Sequence, residues 1–140
     1  MSKIAIVYWS GTGNTEAMAN FVAAGAKESG AEVAIFVPEN FKAEMITEFD
    51  AIAFGCSSMG DEVLEETEFE PLFMSCEDKL KDKKIALFGS YGWGDGEWMR
   101  DWEERCKGLG ATLACDYVIC QEMPDGEAET NCKALGKALV

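Results

Sequence analysis

Short apolar runs recur along the chain and alternate with longer segments in which apolar residues return every three or four positions. The runs are nearly continuous, which is typical of strands buried on both faces of a sheet. We predict strands over residues 3–9, 31–37, 50–56, 84–90 and 111–120, the last of them irregular. We predict helices over residues 15–29, 71–80, 98–107 and 126–139, with at most one short helix in 38–48.

Strands that alternate with helices predict an α/β fold with a five-stranded parallel sheet. Right-handed crossovers then place helices on both faces of that sheet. The 140 residues, 48% of them hydrophobic, suit one domain that covers residues 1–140. Ligands of such sheets bind at the carboxyl ends of the strands. Three loops of unusual composition follow strands one, three and four, so we expect them to meet at that edge.

The first loop, residues 10–15, reads S-G-T-G-N-T and joins a buried strand to a helix N-terminus. Free N–H groups and the helix dipole attract an anion there. Gly11 and Gly13 let the backbone approach a phosphate closely. Its neutral side-chain donors are Ser10, Thr12, Asn14 and Thr15. The loop has no lysine and no G-x-G-x-x-G spacing, which argues against a Walker A loop or a nicotinamide dinucleotide. A simple capped turn is the alternative.

The second loop, residues 57–62, reads S-S-M-G-D-E, and the third, residues 91–96, reads Y-G-W-G-D-G. Met59 offers an adaptable apolar surface for one face of a flat ring. Glu62 is able to accept a hydrogen bond from a ring N–H. Trp93 lies between glycines, where it is placed to stack on a planar ligand. The alternatives are an acidic surface turn for the second loop and a Trp93 packed on a neighbouring helix for the third.

The formal net charge of −14, from 26 acidic and 12 basic residues, changes the list of partners. Nucleic acids and anionic membrane surfaces are bound mainly through Lys and Arg, so the balance argues against both. Acidity favours a protein partner with a basic docking face, reached by electrostatic steering. Solubility alone is the competing explanation. We expect a monomer.

Six cysteines and the absence of histidine narrow the chemistry. The cysteine spacings match no zinc or iron–sulfur pattern, so we predict no metal site. Reduced, mostly buried thiols are typical of a cytoplasmic protein. Cys115 and Cys120 would lie on opposite faces of the irregular fifth strand, because side chains alternate along a strand. No signal peptide or membrane-spanning run is visible.

Three stretches of the chain resemble the short-chain flavodoxins, in particular the clostridial type from anaerobic bacteria. They read V-Y-W-S-G-T-G-N-T over residues 7–15, M-G-D-E-V-L-E over 59–65 and F-G-S-Y-G-W-G-D-G over 88–96. The resemblance covers essentially the whole chain. It suggests the strand order 2-1-3-4-5, for which flavodoxin itself is the standard example, so this order is a match and not an independent derivation.

The resemblance implies flavin mononucleotide (FMN) as the cofactor, with a role for each loop. Ser10, Thr12, Asn14 and Thr15, with Ser57, would bind the phosphate. Met59 would cover the inner face of the ring and Trp93 the outer face, while Glu62 would accept from flavin N3–H. The backbones of Gly60 and Gly92 would meet N5 and the N1–O2 edge, and Asp61 would flank the ring. The full candidate set is Ser10, Gly11, Thr12, Gly13, Asn14, Thr15, Ser57, Ser58, Met59, Gly60, Asp61, Glu62, Ser90, Tyr91, Gly92, Trp93 and Gly94.

The function that follows is a low-potential one-electron carrier that shuttles between flavin semiquinone and hydroquinone. We hypothesise that a peptide flip at Gly60 presents its carbonyl to the N5–H of the semiquinone. Acidic residues would crowd the flavin rim and oppose the anionic hydroquinone, which lowers the second potential. These residues are Asp61, Glu62, Glu65, Glu66, Glu68, Asp95 and Glu97.

The nearest alternative is a small FMN-dependent NAD(P)H or quinone oxidoreductase, which would be an enzyme. Such an enzyme needs room for a second substrate, and no extra nicotinamide site is visible in the sequence. A phosphorelay receiver lacks support because strands one and three end on Tyr8-Trp9 and Gly55-Cys56 and not on acids. A cysteine-loop phosphatase is disfavoured because residues 10–15 contain no cysteine. We therefore predict an electron-transfer protein with no catalytic residues.

Overall fold

A computed structural model describes residues 2–140, in which strands and helices alternate as the apolar pattern predicts. The strands are β1 (Lys3–Trp9), β2 (Glu32–Phe36), β3 (Ala51–Cys56), β4 (Lys84–Tyr91), β5 (Thr112–Leu113) and β6 (Val118–Gln121). The helices are α1 (Asn14–Glu28), α2 (Phe69–Cys76), α3 (Glu97–Gly108) and α4 (Gly126–Leu139). Short 3₁₀ turns occupy Pro38–Asn40, Ala43–Glu48 and Glu77–Lys79. Two such turns stand where one short helix was predicted in 38–48.

All strand pairs are parallel, and the sheet has the order β2-β1-β3-β4-β5, with β6 also paired to β4. The predicted α/β fold and strand order are therefore confirmed. In the register, Trp9 lies opposite Cys56, and Gly55 lies opposite Phe88. The carboxyl ends of β1, β3 and β4 consequently meet at one edge of the sheet.

The fifth position of the sheet is filled by two short strands and not by one. Both β5 and β6 pair with β4, and residues 114–117 between them belong to neither strand, although Ala114 N still donates to the Ile85 carbonyl at 2.9 Å. The prediction that Cys115 and Cys120 lie on opposite faces is wrong. Both pack against the same apolar cluster. Side chains alternate strictly only along an uninterrupted strand, and this interruption resets the alternation.

The two faces of the sheet are packed differently. On the face covered by α2 and α3, aromatic rings interlock, as where Phe54 meets Phe73 edge-on at 5.1 Å and Trp102 meets Phe69 at 5.4 Å. On the face covered by α1 and α4, small and branched residues dominate. Burial of both faces explains why the strands read as continuous apolar runs.

Helices α1 and α4 approach each other closely because two glycines lie at their contact. A Cβ atom built on Gly25 would lie 2.0 Å from the carbonyl oxygen of Lys133. A Cβ atom on Gly136 would lie 2.1 Å from the carbonyl oxygen of Val22. No side chain fits in either gap, so this spacing fixes α1 against α4.

The six cysteines are free thiols, as predicted, and four of them are buried. Burial raises the pKa of the Cys132 thiol to about 12, so it stays protonated. Of the helices in residues 2–140, none combines the length and the apolar character needed to cross a membrane. Across the same residues, His, Cys, Asp and Glu side chains form no cluster of three or more that could hold a metal ion.

Candidate functional site

The three predicted loops meet through a buried threonine. Thr15, in the first turn of α1, is 0% exposed. Its hydroxyl lies 2.7 Å from the Ser57 hydroxyl and accepts a 3.2 Å hydrogen bond from the backbone N–H of Ser90. One side chain thus ties the first loop to the ends of β3 and β4. Thr15 lies beneath the site, so its predicted contact with a phosphate stays a prediction.

The N-terminus of α1 differs from those of the other helices. Ser10 Oγ accepts from Gly13 N at 3.0 Å, which folds the loop back on itself, and Gly13 adopts a left-handed conformation with φ of 95°. Among the described residues no side chain of the N-cap position closes this 15-residue helix. A carboxylate accepts from backbone N–H groups at the start of α2, α3 and α4. The first turn of α1 is therefore left with N–H groups suited to an external anion.

A cavity of ≈ 300 Å³ opens directly above this turn. Its lining consists of Thr12, Asn14, Ser57, Ser58, Met59, Ser90, Tyr91, Gly92 and Glu122. Eight of these nine are predicted site residues drawn from all three loops. The donors in it are hydroxyl, amide and backbone groups, with no cation among them, as the first loop's composition indicated.

The second loop is a narrow turn whose tip is exposed. Met59 and Val63 pair with each other through hydrogen bonds of 2.8 and 3.0 Å, and Ser58 N donates to Ser90 O at 3.0 Å. Gly60 lies at the tip with φ of 52° and open space around its Cβ position. Met59 is 39% exposed. The loop therefore presents an apolar side chain and an exposed glycine peptide at its tip, above a base that is held by backbone hydrogen bonds.

Glu62 joins the second loop to the third. Its Oε1 accepts from the backbone N–H groups of Asp95 and Glu97 at 3.3 and 3.2 Å, at the start of α3. A Cβ atom on Gly94 would lie 2.3 Å from this oxygen, so only glycine allows the approach. Both protein hydrogen bonds use Oε1, and Oε2 keeps its capacity to accept from a ligand N–H.

The third loop places one tryptophan outside and one inside. Trp93 is 60% exposed, so the alternative in which it packs on a helix is wrong. Trp98 is 1% exposed, and its indole N–H donates to the Cys56 carbonyl at 3.2 Å. The Tyr91 ring rests on Trp98 with centroids 5.5 Å apart. Trp98 thus supports the loop from below and leaves Trp93 free to cover a ligand.

Two glutamates differ from the predictions made from the sequence, Glu65 in its burial and Glu122 in lining the cavity. Glu65 was predicted to crowd the rim as an exposed charge, but it is only 7% exposed and caps α2. Burial by itself would raise the pKa of this carboxyl, but hydrogen bonds from Thr67, Phe69 and Glu68 outweigh burial and lower it. Glu122 lines the cavity and was not predicted. Its carbonyl accepts from the Ser90 hydroxyl at 2.6 Å. Neither role has a local sequence signal, since both depend on contacts across the fold.

Charges are distributed unevenly between the two ends of the sheet. Asp61 is exposed in the second loop, Glu66 in the segment between that loop and α2, and Glu97 at the start of α3. Asp95 pairs with Arg100 at 3.0 Å. Lysines gather at the opposite end, where Lys3 and Lys84 begin strands and Lys81 precedes β4. Next to the first loop, the Tyr8 hydroxyl donates to Glu16 at 2.8 Å. Burial and the Glu16 carboxylate together raise the pKa of Tyr8 to about 12.

The remaining predicted residues are not part of the cavity lining but neighbour it along the chain. Ser10, Gly11, Gly13 and Thr15 adjoin the lining residues Thr12 and Asn14, and we call this α1 side, with Ser57, the floor. Gly60, Asp61, Glu62, Trp93 and Gly94 adjoin the lining residues Met59 and Gly92, and we call this side, with Met59, the rim. All three loops are therefore brought to one edge, with a polar floor at one end and an apolar, acidic rim at the other.

The chain is similar to known proteins over nearly all of its length. The family model described as Flavodoxin matches residues 6–135. A flavodoxin from Clostridium beijerinckii is 51% identical over 134 residues, covering 96% of each chain. One from Megasphaera elsdenii is 48% identical over 135 residues, again covering 96% of each. The solution structure of two-electron reduced Megasphaera elsdenii flavodoxin superposes with a TM-score of 0.89 over 97% of each chain.

Proposed function

Because this chain belongs to the flavodoxin family, we propose that the three loops hold FMN and that the chain carries one electron at a time at low potential. Like the flavodoxins to which it is similar, it is an FMN-binding electron carrier and not an enzyme. The observation that carries the residue assignments is the convergence of three loops on Thr15, above an α1 N-terminus that no carboxylate caps. We also propose that residues 1–140 act as one FMN-binding domain.

The polar floor fits a phosphate group. Thr12, Asn14 and Ser57 line the cavity, and the backbone N–H groups of the first turn of α1 point to the same place. A phosphate held this way is stabilised by the helix dipole and by neutral donors. The Thr15 and Ser57 hydroxyls lie 2.7 Å apart and share one hydrogen bond. If either hydroxyl turned to donate to a phosphate oxygen, its hydrogen would still have an acceptor.

The outer rim fits a flat ring. Met59 and Trp93 are large, apolar and exposed on two loops at the same edge of the sheet, as the two faces of a site for a flat ligand would be. We place the flavin ring between them, with Oε2 of Glu62 accepting from the ring N–H and the Asp61 side chain at the edge. The bound flavin supplies the redox-active ring that takes up and releases electrons.

Two features of the loops would set the potentials. Gly60 already lies in the left-handed region, where glycine reorients at little cost, so the 59–61 peptides are able to turn a carbonyl toward the ring. Exposed acids on the rim oppose added negative charge and lower the second potential. We no longer count Glu65 among these rim acids, because its carboxylate is buried and accepts from backbone N–H groups at the start of α2.

The redox partners of this carrier, we propose, dock with a basic face on the acidic rim, and the chain works as a monomer. Asp61, Glu66 and Glu97 are exposed within a few residues of the exposed Met59 and Trp93 along the chain, while lysines lie at the far end of the sheet. Attraction between opposite charges steers such encounters and weakens with salt. Six free thiols favour a reducing compartment, for which we propose the cytoplasm.

A stepwise anaerobic reduction of the purified protein, followed by its visible spectrum, tests the proposal. We expect a bound flavin that is reduced in two separate one-electron steps. A bound flavin that bleaches in one two-electron step, together with direct oxidation of NAD(P)H, would support the oxidoreductase alternative. A protein that stays colourless when mixed with FMN would contradict the proposed function outright. A rate of electron transfer that does not fall with ionic strength would overturn the basic-partner proposal.

A further inference from the structure

We propose that Glu65 is a positioning residue for the flavin ring: its buried carboxylate fixes the base of the second loop, so that only the tip around Gly60 moves. The inference rests on the proposed function, because it assigns the second loop to the ring. It goes beyond it in naming a residue that touches no part of the cavity lining and in giving it a role other than charge.

The Glu65 carboxylate is fully occupied by the protein. Its Oε1 accepts from the backbone N–H groups of Glu68 and Phe69 at 2.7 and 2.9 Å. Its Oε2 accepts from the backbone N–H of Thr67 at 2.8 Å and from the Thr67 hydroxyl. The side chain is buried, so these four charge-assisted hydrogen bonds face little competition from water.

The Glu65 backbone makes a second attachment. Its N–H donates to the Cys56 thiol sulfur at 3.4 Å, and its carbonyl accepts from Glu70 N at 2.9 Å. Cys56 is the last residue of β3 and is 0% exposed. The same cysteine accepts the Trp98 indole N–H through its carbonyl. Glu65 therefore joins the end of β3, the start of α2 and, through Cys56, the support of the third loop.

The loop between these attachments is held at both ends. At its start, Ser58 N donates to Ser90 O, and Met59 and Val63 close the turn. At its end stands the Glu65 cap. Between them only Gly60 and Asp61 are exposed and without a backbone hydrogen bond to a neighbouring segment among those found in residues 2–140. A flip at the tip then changes the contact with the ring and leaves the position of Met59 unchanged.

A glutamine at this position could not reproduce the contacts. The amide nitrogen of glutamine is a donor, so it would replace one carboxylate oxygen and point its hydrogens at backbone N–H groups, which cannot accept them. The neighbouring Glu66 offers a matched control, since it is exposed and one residue along. Glu65→Gln and Glu66→Gln remove the same charge from nearly the same place, and only the first removes the cap.

The test compares wild type, Glu65→Gln and Glu66→Gln in three measurements. The first is amide hydrogen exchange at Thr67, Glu68 and Phe69 in FMN-free protein. The second is the dissociation constant for FMN. The third is the potential of the first reduction step with FMN saturating and at high salt, where long-range charge effects are screened.

We expect Glu65→Gln to lose exchange protection and to bind FMN roughly tenfold more weakly. We also expect its first reduction step to shift by roughly threefold or more in equilibrium constant, about 30 mV for one electron. Glu66→Gln should match wild type in exchange and, at high salt, in FMN affinity and in the first potential, because its exposed charge is screened there and acts on the second step at low salt. A purely stabilising role would weaken FMN binding but leave the potential at saturating FMN unchanged, so an unchanged potential overturns the proposal.

A further variant covers the case in which Glu65→Gln does not fold. Thr67→Val removes one donor to the carboxylate and keeps its charge and its backbone contacts. It should shift exchange and potential in the same direction by a smaller amount, and no shift contradicts the proposal. If wild type itself binds no FMN, the proposed function fails. If wild type binds FMN but Glu65→Gln behaves as Glu66→Gln does, only this inference fails.

Discussion

The floor and the rim of the cavity are built on opposite principles. At the floor, Thr15 is fully buried and its hydroxyl serves Ser57 and Ser90, so the polar groups are fixed before a ligand arrives. At the rim, Met59 and Trp93 stand exposed and Gly60 is unconstrained at a loop tip. A phosphate takes no part in the reduction, whereas a flavin ring changes its hydrogen bonding as it is reduced. In the function that we propose, the rigid end therefore binds the phosphate and the adjustable end controls the redox potentials.

Substitution of the floor threonine should have the largest effect. Thr15→Val leaves the buried Ser90 N–H without its acceptor, which should lower the stability of FMN-free protein by about 1–3 kcal/mol and weaken FMN binding as well. Urea unfolding and FMN titration measure the two effects. Thr12→Val is the control, because Thr12 is exposed in the cavity. It should weaken FMN binding alone, and equal loss of stability in both variants would erase the distinction between floor and surface.

A side chain at the loop tip should affect redox control before stability. Gly60→Thr puts a β-branched residue where φ is 52°, at a cost of about 1–2 kcal/mol to this conformation. Since ~1.4 kcal/mol equals about 59 mV for one electron, the first reduction potential should shift by tens of millivolts. Potentiometry at saturating FMN measures it. Gly60→Asn, which tolerates positive φ, should shift it less. An unchanged potential in Gly60→Thr would remove the peptide flip from the account.

Loss of the exposed tryptophan should weaken binding without touching the fold. Trp93→Ala removes a stacking contribution of roughly 0.5–1.5 kcal/mol together with the apolar area that the ring buries, so FMN should bind about tenfold more weakly or worse. The free energy of unfolding without FMN should stay within about 0.5 kcal/mol of wild type, because Trp93 is mostly exposed. Trp93→Phe keeps a ring and should restore most of the affinity. A large loss of stability in Trp93→Ala would mean that the rim is as preformed as the floor.

Neutralised rim charges should have the smallest effect. Asp61→Asn, Glu66→Gln and Glu97→Gln should each raise the second reduction potential by only ~10 mV at low salt, because exposed charges are screened. Combined, they should add, and high salt should remove the gain. Lys81→Gln, at the far end of the sheet, serves as the control and should lower neither potential measurably. Potentials that do not respond to the triple change would exclude the rim as a source of the low second potential.

The features that sequence predicts here are those encoded within a few residues. The strands and the three loops follow from apolar runs and from Gly, Ser and Thr at their ends, whereas the strand order is implied by the family resemblance. The cavity is lined by residues of all three loops, so they do converge. The break at residues 114–117, the cap formed by Glu65 and the lining residue Glu122 could not be predicted. Each depends on what a residue meets across the fold. A glutamate in an acidic run reads the same whether water or three backbone N–H groups surround it.

The glycine contact between α1 and α4 makes the position of the α1 N-terminus, at the floor of the cavity, depend on a distant part of the chain. Gly25 lies eleven residues along α1 from Asn14, roughly 16 Å at the helical rise, and meets the backbone of α4 at Lys133. A helix is stiff over that length, so a displacement at its far end is transmitted as a tilt at its start. The packing of α1 against the C-terminal helix therefore helps to set the direction of the N–H groups in the first turn of α1, although this contact lies far from them.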